Sequence, residues 1–213
     1  VFDTETTGLN AVNDKLIEIG AVKIKNGVII DRFDELIDPG IPIPQKITEI
    51  TTITDEMVKG KRREKEVIKA FMDWVKDYPM VAHNAHFDVS FIKNSLANNS
   101  YKTIENPVID TLVLSRFLDN EEKRHSLSAI TKRYEIEFDE DNHHRADYDA
   151  EGTALVFHKM LQKIAPRDIL YLEDLPNIVS KDDIHKFGRT YHINLLAQNR
   201  AGLKNLFKIV SFA

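Results

Sequence analysis

The sequence predicts an α/β fold built on a mixed sheet. Three observations predict it: a hairpin signature near the start, a switch of hydrophobic period around residue 64, and short apolar runs alternating with helical stripes after that. Residues 1–9, VFDTETTGL, read as a short strand that breaks into a glycine turn. Residues 16–24, LIEIGAVKI, read as a second strand. Asn26-Gly27 follows, and such a pair between apolar runs marks a tight hairpin because both residues tolerate positive φ. Residues 28–33 then return as the third strand, so the chain opens with three antiparallel strands.

Over residues 64–78 the period lengthens: Val67, Phe71, Trp74 and Tyr78 recur at helical spacing. Met80-Val81-Ala82 is a short buried strand, and Phe87, Phe91, Ile92 and Leu96 form the apolar stripe of the next helix. Val108-Ile109 is another strand, with a helix near 111–118. Residues 126–134 and 150–164 give two further helices, separated by the polar loop 137–144. Three antiparallel strands followed by parallel ones, all flanked by helices, fit the ribonuclease H-like architecture.

Beyond residue 163 the character changes. Residues 165–190 are polar and hold Pro166, Pro176 and Gly188; 191–197, YHINLLA, is strand-like, and 202–212 is an amphipathic helix candidate. The expected division is a domain over 1–163, a linker over 164–190 and a strand–helix tail over 191–213.

Composition narrows the function classes. With 42% hydrophobic residues, the 213-residue chain can bury a core. It has no cysteine, which excludes disulfides, thiolate chemistry and cysteine-based zinc sites. A net charge of −5 argues against holding nucleic acid by a broad basic surface, since such binding neutralises phosphates with Lys and Arg. It does not argue against a site that gathers metal cations, because those bring the positive charge. No apolar run reaches the roughly 20 residues of a membrane span. Because the chain opens in mid-strand at Val1, it reads as a piece of a longer protein, with a cytoplasmic location expected.

The chemistry is carried by carboxylates. Asp3 and Glu5 stand two residues apart on the first strand, so both leave one face, roughly 6.6 Å apart along the chain. Like charges side by side in an apolar strand are expensive unless a cation is shared. Asp88, in Asn84-Ala85-His86-Phe87-Asp88, falls in the first turn of a helix, where favourable interaction with the helix dipole is the simpler explanation. The stretch His143-His144-Arg145-Ala146-Asp147-Tyr148-Asp149 supplies a further carboxylate and a histidine before an apolar helix. By spacing alone, Asp147 competes with Asp149 and His143 with His144. Carboxylates from separate elements, without cysteine, suit two Mg²⁺ or Mn²⁺ ions better than zinc. A pair of such ions stabilises the attacking and leaving oxygens of a phosphodiester, and a neutral histidine can take the proton of the attacking water.

In combination and order, Asp3-x-Glu5, His83-Asn84-Ala85-x-Phe87-Asp88 and His144-x-x-x-x-Asp149 resemble the three motifs of the DEDD exonuclease superfamily, in its subgroup with a catalytic histidine. The wording FDTETTGL, VAHNAHFD, NPVIDTLVLSRFL and HHRADYDAEGTALVFHKML is similar to the exonuclease domain of PolC-type DNA polymerase III. The resemblance implies a proofreading 3′→5′ exonuclease that acts on the single-stranded 3′ end of DNA within a larger polymerase polypeptide. Asp3, Glu5, Asp88 and Asp149 would hold two divalent cations, and His144 would be the general base. Thr6, Gly8 and Leu9 would face the 3′-terminal nucleotide, with Asn84 and Phe87 lining the same pocket, although Phe87 fits the core equally well. Relatives usually carry Gly-Ile-Thr where this chain has Thr52-Ile53-Thr54, and the resemblance implies that Ile53 would contact the terminal nucleotide. A β-branched residue disfavours positive φ, so the loop at Thr52 is expected to avoid a glycine-only conformation. Lys59, Lys61, Arg62 and Arg63 either guide a DNA strand or form a solvated loop.

The tail, with Tyr191-His192 and Gln198-Asn199-x-x-Gly202-Leu203-Lys204-Asn205, resembles the segment that resumes a PHP (polymerase and histidinol phosphatase) domain after the exonuclease. Its apolar set, from Ile193 to Ile209, is expected to pair two copies of the chain as a homodimer through 191–213. Two other functions compete with DNA proofreading: an exoribonuclease built on the same carboxylates, and a non-catalytic nucleic-acid-binding module.

Overall fold

The computed structural model describes residues 1–137 and 145–165, with 175, 199, 201, 204, 205 and 208 as single positions beyond them. His143 and His144, most of the 164–190 stretch, and the 191–213 strand with its predicted dimer contact lie outside the described residues.

β1 (Phe2–Thr6), β2 (Leu16–Lys25) and β3 (Val28–Leu36) form an antiparallel ladder in the order β1-β2-β3. The hairpin between β2 and β3 turns at Asn26 and Gly27, at φ 53° and 77°, the positive values an Asn-Gly turn supplies. β3 runs three residues past the predicted end, because its pairing with β2 continues to Leu36 opposite Glu18. Phe2, Thr4 and Thr6 of β1 are buried, while Asp3 and Glu5 leave the opposite face half-buried. In the ladder Asp3 stands opposite Gly20, and Glu5 opposite Glu18.

Two short helices, α1 (Gln45–Thr51) and α2 (Asp55–Val58), escape the sequence reading because they are too short to show a period. Thr54 caps α2, its side chain accepting from the Met57 amide. α1 closes at Thr52, which sits at φ 62°, ψ 0° with its amide donating to the Thr48 carbonyl. The expectation that Thr52 avoids a glycine conformation is therefore overturned. A left-handed residue ends the helix by satisfying an orphan carbonyl, and that requirement outweighs the β-branched preference.

α3 (Glu64–Val75) buries Val67, Ile68, Phe71 and Val75. Tyr78, placed on this stripe by spacing, lies past the helix end and is 55% exposed. β4 (Met80–Ala82) pairs in parallel with β5 (Val108–Asp110). α4 (His86–Asn98) connects them, followed by α5 (Thr111–Leu118), α6 (Leu127–Arg133) and α7 (Ala146–Ile164). α7 begins four residues before the predicted 150, since its first turn carries Asp147 and Asp149 rather than apolar residues. The sheet is divided into two hydrogen-bonded ladders, which abut at β1 and β4.

The core has two main bodies. One joins Phe2, Ile19 and Ala21 to α3 and α4, with the Phe71 ring between Phe2 and Phe33 at centroid distances of 5.8 and 5.5 Å. The other joins Val81 and Ile109 to α5, α6 and α7. Leu175, inside the stretch read as a linker, is buried in this second body. The sheet thus lies between two helical layers, and its two acidic side chains emerge where α7 begins.

Candidate active site

Alternation along β1 aims Asp3 and Glu5 at the N-terminus of α7, whose first turn delivers Asp149. One carboxylate oxygen from each of Asp3, Glu5 and Asp149 lies within 4.8 Å of the others. Asp88, buried in the first turn of α4, is tied to the strand that carries the first two: its Oδ1 accepts from the Thr4 amide at 2.9 Å and the Thr4 hydroxyl at 2.7 Å. Those two bonds do more than a helix dipole requires, because they lock Asp88 to the residue between Asp3 and Glu5.

The electrostatics follow from crowding. Burial first, then the charges of Asp88, Glu5 and Asp149, holds the Asp3 carboxyl well above the usual range. Burial and the charges of Asp149, Glu18 and Asp88 push Glu5 up to about 9, with Arg145 partly offsetting them. Burial raises Asp88 to about 7 against the opposing effect of its Thr4 hydrogen bonds. Fully ionised, such a cluster holds more negative charge than its surroundings compensate, so without a cation it retains protons. Oxygen ligands at this spacing fit a hard divalent cation.

The turn after β1 is built from its own side chains. Thr6 Oγ1 donates to the Gly8 carbonyl at 2.6 Å, and Thr7 Oγ1 accepts from the Lys15 amide at 2.9 Å. Gly8 packs on Asp14, where a Cβ would stand 2.5 Å from a carboxylate oxygen. Thr6 is buried, whereas Leu9 is 87% exposed at the tip. Asn84 is exposed at φ 62°, its amide donating to Asp110 Oδ1 at 3.0 Å. Phe87 is half-buried with its ring 5.1 Å from Phe91, so the core accounts for part of it. Ile53 is fully buried with Ile17, Ile43 and Val58. Arg62 and Arg63 pair with Glu35 and Asp38 at the end of β3, so of the four basic residues in that loop these two anchor it. His83 of the second motif sits beside Thr111 Oγ1 at 3.0 Å, and burial lowers it to about 4, so it is neutral.

Three residues near the site were missed from sequence. Asp110 caps α5 at the Leu112 amide and holds the Asn84 turn with the same oxygen. Gly20 lies under α7, and a Cβ there would be 2.1 Å from the backbone of Ala146 and Asp147. Glu18 is a fully buried carboxylate in the apolar strand LIEIGAVKI, the same signature that singled out Asp3 and Glu5.

The profile of the Exonuclease family matches residues 1–157. The chain is 45% identical over 213 residues to the PolC-type DNA polymerase III of Halalkalibacterium halodurans. It is 44% identical over 219 positions to that of Bacillus subtilis. Each alignment takes in all of this chain and spans 15% of the polymerase. Among solved structures, exonuclease X in complex with 5′-overhanging duplex DNA superposes with a TM-score of 0.62 at 28% identity, over 77% of this chain and 91% of that one. Exonuclease I of E. coli in complex with a dT13 oligonucleotide superposes with a TM-score of 0.67 over 78% of this chain and 41% of that one; at 19% identity that likeness is one of fold.

Proposed function

The chain belongs to the exonuclease family, and from that premise we propose that it hydrolyses the terminal phosphodiester at the 3′ end of DNA, releasing nucleoside 5′-monophosphates as the proofreading activity of a DNA polymerase III. The observation that carries this reading is the meeting of Asp3, Glu5 and Asp149 within 4.8 Å, with Asp88 locked beside them through Thr4. Two Mg²⁺ or Mn²⁺ ions held there supply charge stabilisation to the attacking and leaving oxygens.

The chain's own groups do the rest. Asp3, Glu5, Asp88 and Asp149 hold the ions, and the turn of Thr6, Gly8 and Leu9, with Asn84 and Phe87, receives the terminal nucleotide. His144 takes the proton of the attacking water, a task that suits an imidazole at neutral pH. DNA as substrate is supported by the similarity to PolC-type polymerases along the whole chain and by the DNA in the exonuclease X complex. The same similarity supports a place within a longer polymerase polypeptide in the cytoplasm, with residues 1–163 as the nuclease unit and the tail as part of a neighbouring domain.

The test is incubation with 5′-labelled DNA and RNA oligonucleotides and Mg²⁺ or Mn²⁺. Stepwise release of mononucleotides from DNA, abolished by EDTA and by Asp149→Ala, is expected, because a lost ligand removes several kcal/mol of transition-state stabilisation. Equal or faster attack on RNA points to an exoribonuclease, and binding without release to a non-catalytic module. In the same assay His144→Asn is the crippling histidine change and His143→Asn the mild one.

A further inference from the structure

We propose that Glu18 and Arg145 are positioning residues: a buried clamp between β2 and the start of α7 fixes where Asp149 meets Asp3 and Glu5. The inference rests on the metal-holding role assigned to Asp149 above.

Glu18 is 0% exposed near the start of β2, directly opposite Glu5 in the ladder. Arg145 Nε donates to both of its oxygens, at 3.0 and 3.2 Å, and Nη2 donates to Oε1 as well. The Ala146 amide donates to Oε2 at 2.8 Å. Both carboxylate oxygens are therefore spent on the two residues that open α7.

The helix depends on this contact. Arg145 occupies the N-cap position, yet its own side chain makes no cap bond. Glu18, from another element, instead accepts a first-turn amide and places negative charge at the helix N-terminus, where the dipole favours it. One turn later the Asp149 amide donates to the Arg145 carbonyl at 2.9 Å, so the reach of Asp149 is set from Arg145. Gly20, two residues along the same strand, lets the helix backbone approach closer than any Cβ permits.

The clamp also accounts for a second group of carboxylates. Glu18, Asp34 and Asp147 bring oxygens within 4.8 Å of one another. Their cation is already present as the Arg145 guanidinium, which Glu18, Asp147 and Asp34 all stabilise in its charged form. Arginine suits the task better than lysine because its planar fork engages both oxygens of one carboxylate.

Calorimetric titration of the full chain with Mn²⁺ alone, with circular-dichroism melts on each protein, tests the proposal. Glu18→Gln and Arg145→Lys are expected to weaken Mn²⁺ binding by about 10–100-fold, as for groups that orient metal ligands. Arg133→Lys, which disturbs the partly buried pair that Arg133 of α6 makes with Asp119 at the end of α5, serves as the control. It should lower the melting midpoint and leave Mn²⁺ affinity within about twofold. The proposal is overturned if Glu18→Gln and Arg145→Lys both bind Mn²⁺ as tightly as wild type. It is overturned equally if Arg133→Lys weakens binding as much as they do, for then general destabilisation explains the loss. If Asp149→Ala binds Mn²⁺ like wild type, the metal-site reading fails instead.

Discussion

Glu5 keeps its proton in the folded, metal-free protein up to about pH 9, against an ordinary value of 4.5, because burial and three neighbouring carboxylates penalise its ionised form. Between those values the folded state binds more protons than the unfolded chain, so the stability this proton contributes is complete below 4.5 and is lost as pH rises toward 9. Asp3 and Asp88 are raised too and act with the same sign. In EDTA the melting midpoint is therefore expected to fall as pH rises from about 5 to 9. Saturating Mn²⁺ should flatten the fall, since the cation replaces the protons, and Glu5→Gln should remove part of it. A midpoint that holds level across that range in EDTA contradicts the crowded-carboxylate picture. Thr52 shows strain of another kind. A β-branched residue at φ 62° costs roughly 1–2 kcal/mol, and glycine gives back part of that through unfolded-state entropy. Thr52→Gly is thus expected to raise stability by about 0.5–1 kcal/mol in urea denaturation.

At the scale of elements, the decisive contact is β2 against α7. Helix α7 carries one ligand of the proposed site, and β1 carries two, but β2, paired beside β1 and packed beneath α7, fixes their separation. Gly20→Ala puts a methyl group 2.1 Å from the backbone at Ala146 and Asp147, a contact no side-chain rotation relieves. The helix must move, so a loss of about 1–3 kcal/mol is expected. Nucleotide release should fall more steeply than stability, because α7 shifts away from Asp3 and Glu5. Wild-type activity at an unchanged melting midpoint would show that the approach is looser than it stands here. Elements of this kind are legible in sequence only in part. The Asn26-Gly27 turn and the 80–82 and 108–109 strands announce themselves through local chemistry. α1 and α2 are too short to do so, and Tyr78 falls on a helical period although the chain has already left the helix at Val75.

For the whole molecule, the question is where the nuclease unit ends. α7 closes at Ile164, yet Leu175 is 2% exposed in the core body formed by α5, α6 and α7. A chain ending at Lys163 gives up the burial of both Ile164 and Leu175, each worth about 1.5–3 kcal/mol. It is expected to be less stable by an amount of that order in urea denaturation and still release nucleotides, because none of the proposed ligands lies beyond Asp149. A truncated chain that folds normally but has lost release would place part of the site in the tail. Light scattering on the same two chains reads the tail-mediated pairing expected from the sequence: a dimer for the full chain alone supports it, and monomers in both cases remove it.

Much of the molecule is written locally. The hairpin, the alternation of Asp3 and Glu5, the first-turn place of Asp88 and the order of the three motifs depend on neighbours within a few residues, and those the sequence declares. Glu18 carried the same mark as Asp3 and Glu5, a charge within an apolar strand, but its partner lies 127 residues away at Arg145. Ile53 matches a motif position and its side chain is buried with Ile17, Ile43 and Val58, since which face of a loop is covered depends on what packs against it. Residue chemistry and spacing determined which groups this protein brings to bear. Only tertiary structure decided which of them meet: the distance between two carboxylates on different elements is set by the packing of β2 under α7, and no local pattern encodes it.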